Sequence, residues 1–233
     1  MKRIFAFALI IGAPAIFNLP AKADSVNFYS GVSLNGTYDD QIHMLTGPID
    51  GPLTNDFSSP DTFAAALNGP SAFIVEPHSS WADNSPAQWI SSDPNGGAGG
   101  AYTALYAISF TLPEFTFASF NITFTVDQSL GDAPDNGLFL NGTALPGSAG
   151  GNYSEVISYN NEDVTSLLHA GDNILYLYNV NYGGPAGISF NATVDFTPAP
   201  VPEPSTYALF GLGTIAGLIL RRYRTNFVAL LKP

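Results

Sequence analysis

Ala118-Ser-Phe-Asn-Ile-Thr-Phe-Thr-Val-Asp127 alternates apolar and polar side chains without a break. A period of two places Ala118, Phe120, Ile122, Phe124 and Val126 on one face of a strand and Ser119, Asn121, Thr123 and Thr125 on the other. A strand so divided has one buried and one wet face. Ile188 to Phe196 repeats the pattern, with Ile188, Phe190, Ala192, Val194 and Phe196 inward and Ser189, Asn191, Thr193 and Asp195 between them. Tyr102 to Leu112 alternates through Ala104, Tyr106, Ile108 and Phe110, and Val26 to Leu34 does so more weakly. Ile174 to Val180 is apolar at both parities, as a central strand of a sandwich should be.

Gly-rich turns such as Asp93-Pro-Asn-Gly-Gly-Ala-Gly-Gly100 and Gly183-Gly-Pro-Ala-Gly187 separate these stretches. The 23 Gly, 18 Pro and 13% aromatic residues suit a turn-rich β body. One short helix is expected over Val164 to His169, capped by Asp163 and stopped by Gly171. Phe63 to Leu67 reads as a helical turn between strands. The fold class expected is all-β, a β-sandwich over residues 24–197.

Charge is partitioned by position. All seven cations (Lys2, Arg3, Lys22, Arg221, Arg222, Arg224 and Lys232) lie near the ends of the chain. Between Asp24 and Leu220 there is no Lys or Arg, and all 19 Asp and Glu fall in that window, which gives it a net charge of −19 with His neutral. Nucleic acid is excluded as a direct partner, because phosphate binding needs cations to release counterions. Anionic lipid headgroups are disfavoured for the same reason. The absence of Cys removes disulfides, thiolate metal ligands and a thiol nucleophile. The acidity reads either as solubility through self-repulsion or as a demand for divalent cations.

The two ends carry addresses. Met1-Lys2-Arg3 is a positive n-region, Ile4 to Phe17 an apolar run of 14 residues, and Ala21-Lys22-Ala23 an A-x-A cleavage pattern. Residues 1–23 therefore read as a secretory signal peptide. At the other end Pro198, Pro200, Pro202 and Pro204 alternate, so residues 198–204 form an extended linker. Ser205 to Leu220 holds no charge over 16 residues, about 24 Å as a helix, slightly short of a bilayer core. Arg221, Arg222 and Arg224 follow at once, and by the positive-inside bias they stay cytoplasmic with the acidic body outside. A membrane helix with its Arg cluster is expected over 205–224 and a cytoplasmic tail over 225–233.

Val201-Pro202-Glu203-Pro204-Ser205, the short apolar helix and the Arg cluster together resemble the PEP-CTERM protein-sorting signal, also known as an ice-binding protein C-terminal domain. The resemblance covers Pro200 to Arg224. It implies export, recognition through Val201, Pro202, Glu203 and Pro204 by an exosortase in the inner membrane, and an exopolysaccharide-producing setting. Residues 225–233 run past the basic cluster at which such signals usually stop.

Three segments of the body resemble galactose-binding-like jelly rolls. They are Asp132 to Leu145 with its Leu-Asn-Gly turn, Asp163 to Asn181 with Val-Thr-x-Leu-Leu-x-x-Gly-x-Asn-x-Leu from Val164 to Leu175, and Gly187 to Phe196. That resemblance implies a jelly-roll sandwich and leaves the ligand open.

Candidate sites are few. Asp127, Asp132, Asp135 and Asn136 lie within ten residues around Gly131 and Gly137 and read either as a Ca²⁺ site or as an Asp/Asn/Gly turn. Asp39-Asp40 near Asp50 is a weaker candidate. His43, His78 and His169 are too scattered to suggest Zn²⁺. Trp81 and Trp89 flank Asp83-Asn84-Ser85 and read as glycan contacts or as packing residues. No Gly-x-Ser-x-Gly elbow and no recognisable triad context occurs, so no enzyme activity is expected. The expectation is an exosortase-sorted exoprotein, anchored in the inner membrane as precursor and then on the cell surface or secreted. There it acts as a structural or binding component of an extracellular matrix rich in polysaccharide. The alternatives are a Ca²⁺-dependent carbohydrate-binding module and, less favoured, a polysaccharide-active hydrolase.

Overall fold

The computed structural model describes residues 23–33, 37–55, 57–132, 136–161, 163–200, 211 and 214–215. In chain order the elements are β1 (Asp24–Tyr29), β2 (Tyr38–Thr46), β3 (Asp50–Gly51), α1 (Pro60–Leu67), β4 (Ser71–Ile74), β5 (Ile90–Ser91) and β6 (Ala104–Leu112). There follow β7 (Phe115–Asp127), β8 (Ser129–Leu130), β9 (Leu138–Leu140), β10 (Thr143–Ala144), β11 (Ile157–Asn161), β12 (Gly171–Tyr182) and β13 (Gly187–Pro198). Every pairing among these strands is antiparallel. The protein body is all-β.

The strand order β10-β9-β12-β6-β2-β4-β5-β13-β7-β11, with β1 on β13, makes two layers joined through the short β4 and β5. One layer is β1-β13-β7-β11 and the other β9-β12-β6-β2. The quoted alternation explains the first. Phe120, Ile122 and Phe124 of β7 stand opposite Val194, Ala192 and Phe190 of β13, and all six are buried. They meet Tyr106, Ile108, Leu175 and Leu177 from the second layer in one apolar core. Phe28 of β1 stacks on Phe110 of β6 with ring centroids 4.9 Å apart, which ties the layers directly.

The doubly apolar strand expected at Ile174–Val180 is the middle of β12, paired with β6 on one side and β9 on the other. Leu175 and Leu177 face the inter-layer core. Tyr176, Tyr178 and Val180 face outward and are covered by a second apolar cluster that includes Phe63 and Ala66 of α1. The turn read at Phe63 to Leu67 is thus a two-turn helix. Its start is set by the Ser59 cap, whose Oγ accepts the Asp61 N–H, and by Pro60 in the first turn. Phe63 packs on Tyr176 at 4.8 Å and edge-on to Phe139 at 5.3 Å.

The helix expected at Val164–His169 is instead a single 3₁₀ turn, Thr165–Leu167. Asp163 does accept the Thr165 N–H, at 3.0 Å. The chain cannot continue as a helix because it is tied to β7 at its start and to β12 at its end. The Val164 N–H bonds to the Ala118 carbonyl, and Asn173 accepts from the His169 N–H and donates to the His169 carbonyl.

Residues 200–233 form a separate unit, in which Gly211, Thr214 and Ile215 are helical. The rest of the expected membrane helix, Val201 to Pro204, Arg221, Arg222, Arg224 and residues 1–22 of the expected signal peptide lie outside the described residues. Among the described residues no helix is long and apolar enough to cross a membrane.

Candidate functional site

The segment from Val75 to Trp89 leaves β4, crosses the outer face of β7 and β13, and returns into β5. Asn84 holds it down. Its Nδ2 donates to the carbonyls of Thr123 and Ser189, both at 3.2 Å, and its own carbonyl accepts from Asn191 Nδ2 at 2.8 Å. A short amide side chain can do this because a backbone carbonyl has two lone pairs and can accept from a side chain above the sheet as well as from a neighbouring strand.

Trp81 and Trp89 stack on each other, with ring centroids 4.1 Å apart and planes 27° apart. Both are buried, at 9% and 4% exposure. Trp81 Nε1 donates to Asp127 Oδ2 at 2.6 Å, and Trp89 Nε1 donates to the Ala82 carbonyl at 3.1 Å. The pair walls a half-open cleft of about 380 Å³ whose rim carries Glu76, Asp83 and Gln88. At this exposure the indoles are chiefly packing residues of the segment, and the polar chemistry of the cleft comes from its rim.

The four residues read as a Ca²⁺ site or a turn are distributed differently. Asp127 ends β7 buried under Trp81. Asp132 Oδ1 accepts from the Tyr182 hydroxyl at 2.6 Å. Asn136 Oδ1 accepts from the Gly147 N–H at 3.1 Å. Asp135 lies outside the described residues. The three described members therefore bond to three different donors, and among the described residues no three acidic or histidine side chains converge as metal ligands. Asp39, of the weaker acidic candidate, is buried and clasps the turn after β1. The three histidines are apart: His43 Nδ1 bonds to the Gly69 carbonyl, His78 Nδ1 pairs with Ser80, and His169 lies beside Asn141. Sequence reading marked Asp83-Asn84-Ser85 only as the polar run between the two tryptophans, with no sign of the anchoring role of Asn84 or of the Trp81–Asp127 bond. Asn84 sits in an unstructured polar run, and the bonded pair is 46 residues apart.

Burial pushes the carboxyls of Asp39 and Asp127 above the ordinary value of 3.8, outweighing the hydrogen bonds that favour their charged forms. In both cases the native state holds the proton more tightly than the unfolded chain. This contribution to stability is full below pH 3.8 and is lost as the pH rises through the raised native values. The exposed Asp163 is shifted the other way by the Thr165 N–H. Denaturant midpoints measured from pH 4 upward, about the ordinary carboxylate value, should therefore fall with rising pH. Asp127→Asn should flatten that slope, and an unchanged slope would contradict the assignment.

The comparisons with known proteins bear on the C-terminal segment first. Residues 200–224 match the PEP-CTERM protein-sorting motif. The chain is thus an all-β body that carries an exosortase sorting motif, which implies export and exosortase processing. Among solved structures, the Podospora anserina GH26-CBM35 β-(1,4)-mannanase aligns at 14% identity and TM-score 0.30 over 71% of this chain and 29% of that one. A family 35 carbohydrate binding module from an environmental isolate aligns at 19% identity and TM-score 0.29 over 55% and 88%. The isomalto-dextranase of Arthrobacter globiformis T6, complexed with panose, aligns at 10% and 0.29 over 76% and 35%. The chain thus spans about a third or less of the two enzymes. Likeness at this level assigns neither ligand nor activity. No curated protein matches the chain.

Proposed function

We propose that the protein is an exported, exosortase-sorted component of the cell surface or extracellular matrix. Its jelly-roll body (24–197) acts as a structural or binding element associated with polysaccharide, and not as an enzyme. In this reading residues 1–23 direct export, 198–204 present the Pro-Glu-Pro motif, 205–224 hold the precursor in the inner membrane, and 225–233 remain in the cytoplasm.

The observation that carries the proposal is the partition of charge around the sorting motif. No Lys or Arg lies between Asp24 and Leu220, and three Arg follow directly. The fold supports it: β1 begins at Asp24, next to Ala23, and β13 ends at Pro198, so the folded body fills the interval between the two addresses. Fractionation of cells producing the full chain, or a chain lacking residues 201–224, tests it. The full chain should pass from the membrane fraction to the surface or medium, and the truncated one should never appear in the membrane fraction. Identical distributions would overturn the proposal.

A further inference from the structure

The outward face of the β1-β13-β7-β11 layer has an order that the sorting function leaves unused. Paired register places Asn27 of β1, Thr193 of β13, Asn121 of β7 and Asn160 of β11 in one row across four strands. The row above holds Tyr29, Asn191, Thr123 and Ser158. Its middle lies under the Val75–Trp89 segment, because Asn191 and Thr123 both bond to Asn84, so only Tyr29 and Ser158 extend the array on that side. The row below holds Ser25, Asp195 and Ser119. Amides and hydroxyls thus recur about every 4.8 Å across the strands and about every 6.7 Å along them.

The array is held in place laterally. Thr193 Oγ1 donates to Asn27 Oδ1 at 2.7 Å, and Asn121 Nδ2 donates to Asp195 Oδ2 at 3.2 Å. Side chains fixed before binding lose less entropy on binding. Two aromatic rings stand exposed on the same face, Tyr29 at 38% and Phe117 at 43%. Phe117 is six residues along β7 from the Tyr29 row, about 20 Å of strand.

Charge selects the partner. These three rows hold one carboxylate, Asp195, and no cation, although the window around them carries −19. An anionic polymer meets repulsion with nothing to offset it, and a cationic one finds almost no charge on the face itself. A neutral polyhydroxylated chain matches both its donor and acceptor character and its exposed rings. Resting on the surface or matrix role proposed above, we propose that this sheet face is the docking surface for a neutral polysaccharide laid obliquely over β7, β13 and β1, more along the strands than across them, with Phe117 and Tyr29 against sugar rings at its ends.

Affinity electrophoresis of the purified full-length protein tests this. The gels contain hydroxyethyl cellulose, a β-1,3-glucan, galactomannan or dextran, with alginate and chitosan as charged controls. The protein should be retarded by at least one neutral polymer, with little dependence on salt. Asn121→Ala and Phe117→Ala, on different parts of the face and both outside the core, should each weaken retardation by about tenfold, equivalent to roughly 1.4 kcal/mol. Asp83→Ala, on the rim of the tryptophan cleft, should leave it unchanged. Retardation by no neutral polymer, by charged polymers alone, insensitive to both face variants, or lost in Asp83→Ala would each overturn the assignment. Cell fractionation reads sorting separately, so failure here with normal sorting removes the docking face and leaves the matrix role standing.

Discussion

Asp39→Ala is expected to lower the stability of the body by about 3–5 kcal/mol, seen as a large drop in the urea midpoint. The side chain is fully buried on β2, an unusual place for a carboxylate, and each bond it makes accounts for its presence. Asp39 Oδ2 accepts the N–H groups of Gly31 at 2.6 Å and Val32 at 3.2 Å, and Oδ1 accepts that of Gln41 at 3.0 Å. Each donor left unpaired inside the protein costs about 1–3 kcal/mol. The turn has no easy way to rearrange. Gly31 sits at φ +88°, and a Cβ there would run into Gln88. Ser30 is bonded to Gln88 through its carbonyl and hydroxyl, and its N–H donates to the Phe190 carbonyl. One carboxylate therefore locks β1, β2, the approach to β5 and β13 together. Asp39→Asn keeps one acceptor oxygen and should lose less than the alanine variant. A loss below about 1 kcal/mol for Asp39→Ala would show that the turn is held by something else.

The parts of this fold that were legible in the sequence are those in which one face of one element decides each residue. β7 and β13 alternate over most of their length because the inter-layer core lies on one side of them and polar side chains on the other. β6 alternates in exposure only past Ile108, since Leu105 and Ala107 on its other face are buried in the second apolar cluster. β12 is apolar at both parities because α1 and Phe57 cover the side away from the core. β2 was missed, because its pattern is interrupted by Asp39, whose charge reads as surface while its bonds place it inside. The extent of α1 was also unclear, since Phe63-Ala-Ala-Ala-Leu67 suits either a helix or a short buried strand until Ser59 is recognised as its cap.

Legibility at the sites divides in the same physical way. The sorting motif is a linear signal, read by another protein in order along the chain, and so it was visible directly. The Trp81–Trp89 stack, the bond to Asp127 and the anchoring of Asn84 depend on elements far apart in sequence, which no periodicity reports. The polar face stands between these cases. The outward sets of β7 and β13 were readable, and that of β1 more weakly, whereas β11 was not read as a strand. The rows exist only once Asn27 is known to lie opposite Thr193, and Thr193 opposite Asn121.

Phe120→Ala is expected to cost about 4 kcal/mol, whereas Asn121→Ala, one residue along β7, should stay within about 0.5 kcal/mol. Phe120 is fully buried among the apolar side chains of both layers, opposite Val194 on one neighbouring strand and Asn161 on the other. Removing its ring deletes buried apolar surface and leaves a cavity between two sheets that are fixed by their hydrogen bonds and cannot close over it. Such a loss is a large fraction of the stability of an ordinary domain. Asn121 points to the other face, and its bond to Asp195 lies where water can replace either partner. The two variants together test the register as well as the core. Because the side-chain period is two, a slip of one residue would exchange the two faces, and the costs of the two substitutions would trade places. That inversion, read from paired denaturation curves, would remove both the sandwich core described here and the rows of amides and hydroxyls on its outer face, since both depend on the same alternation.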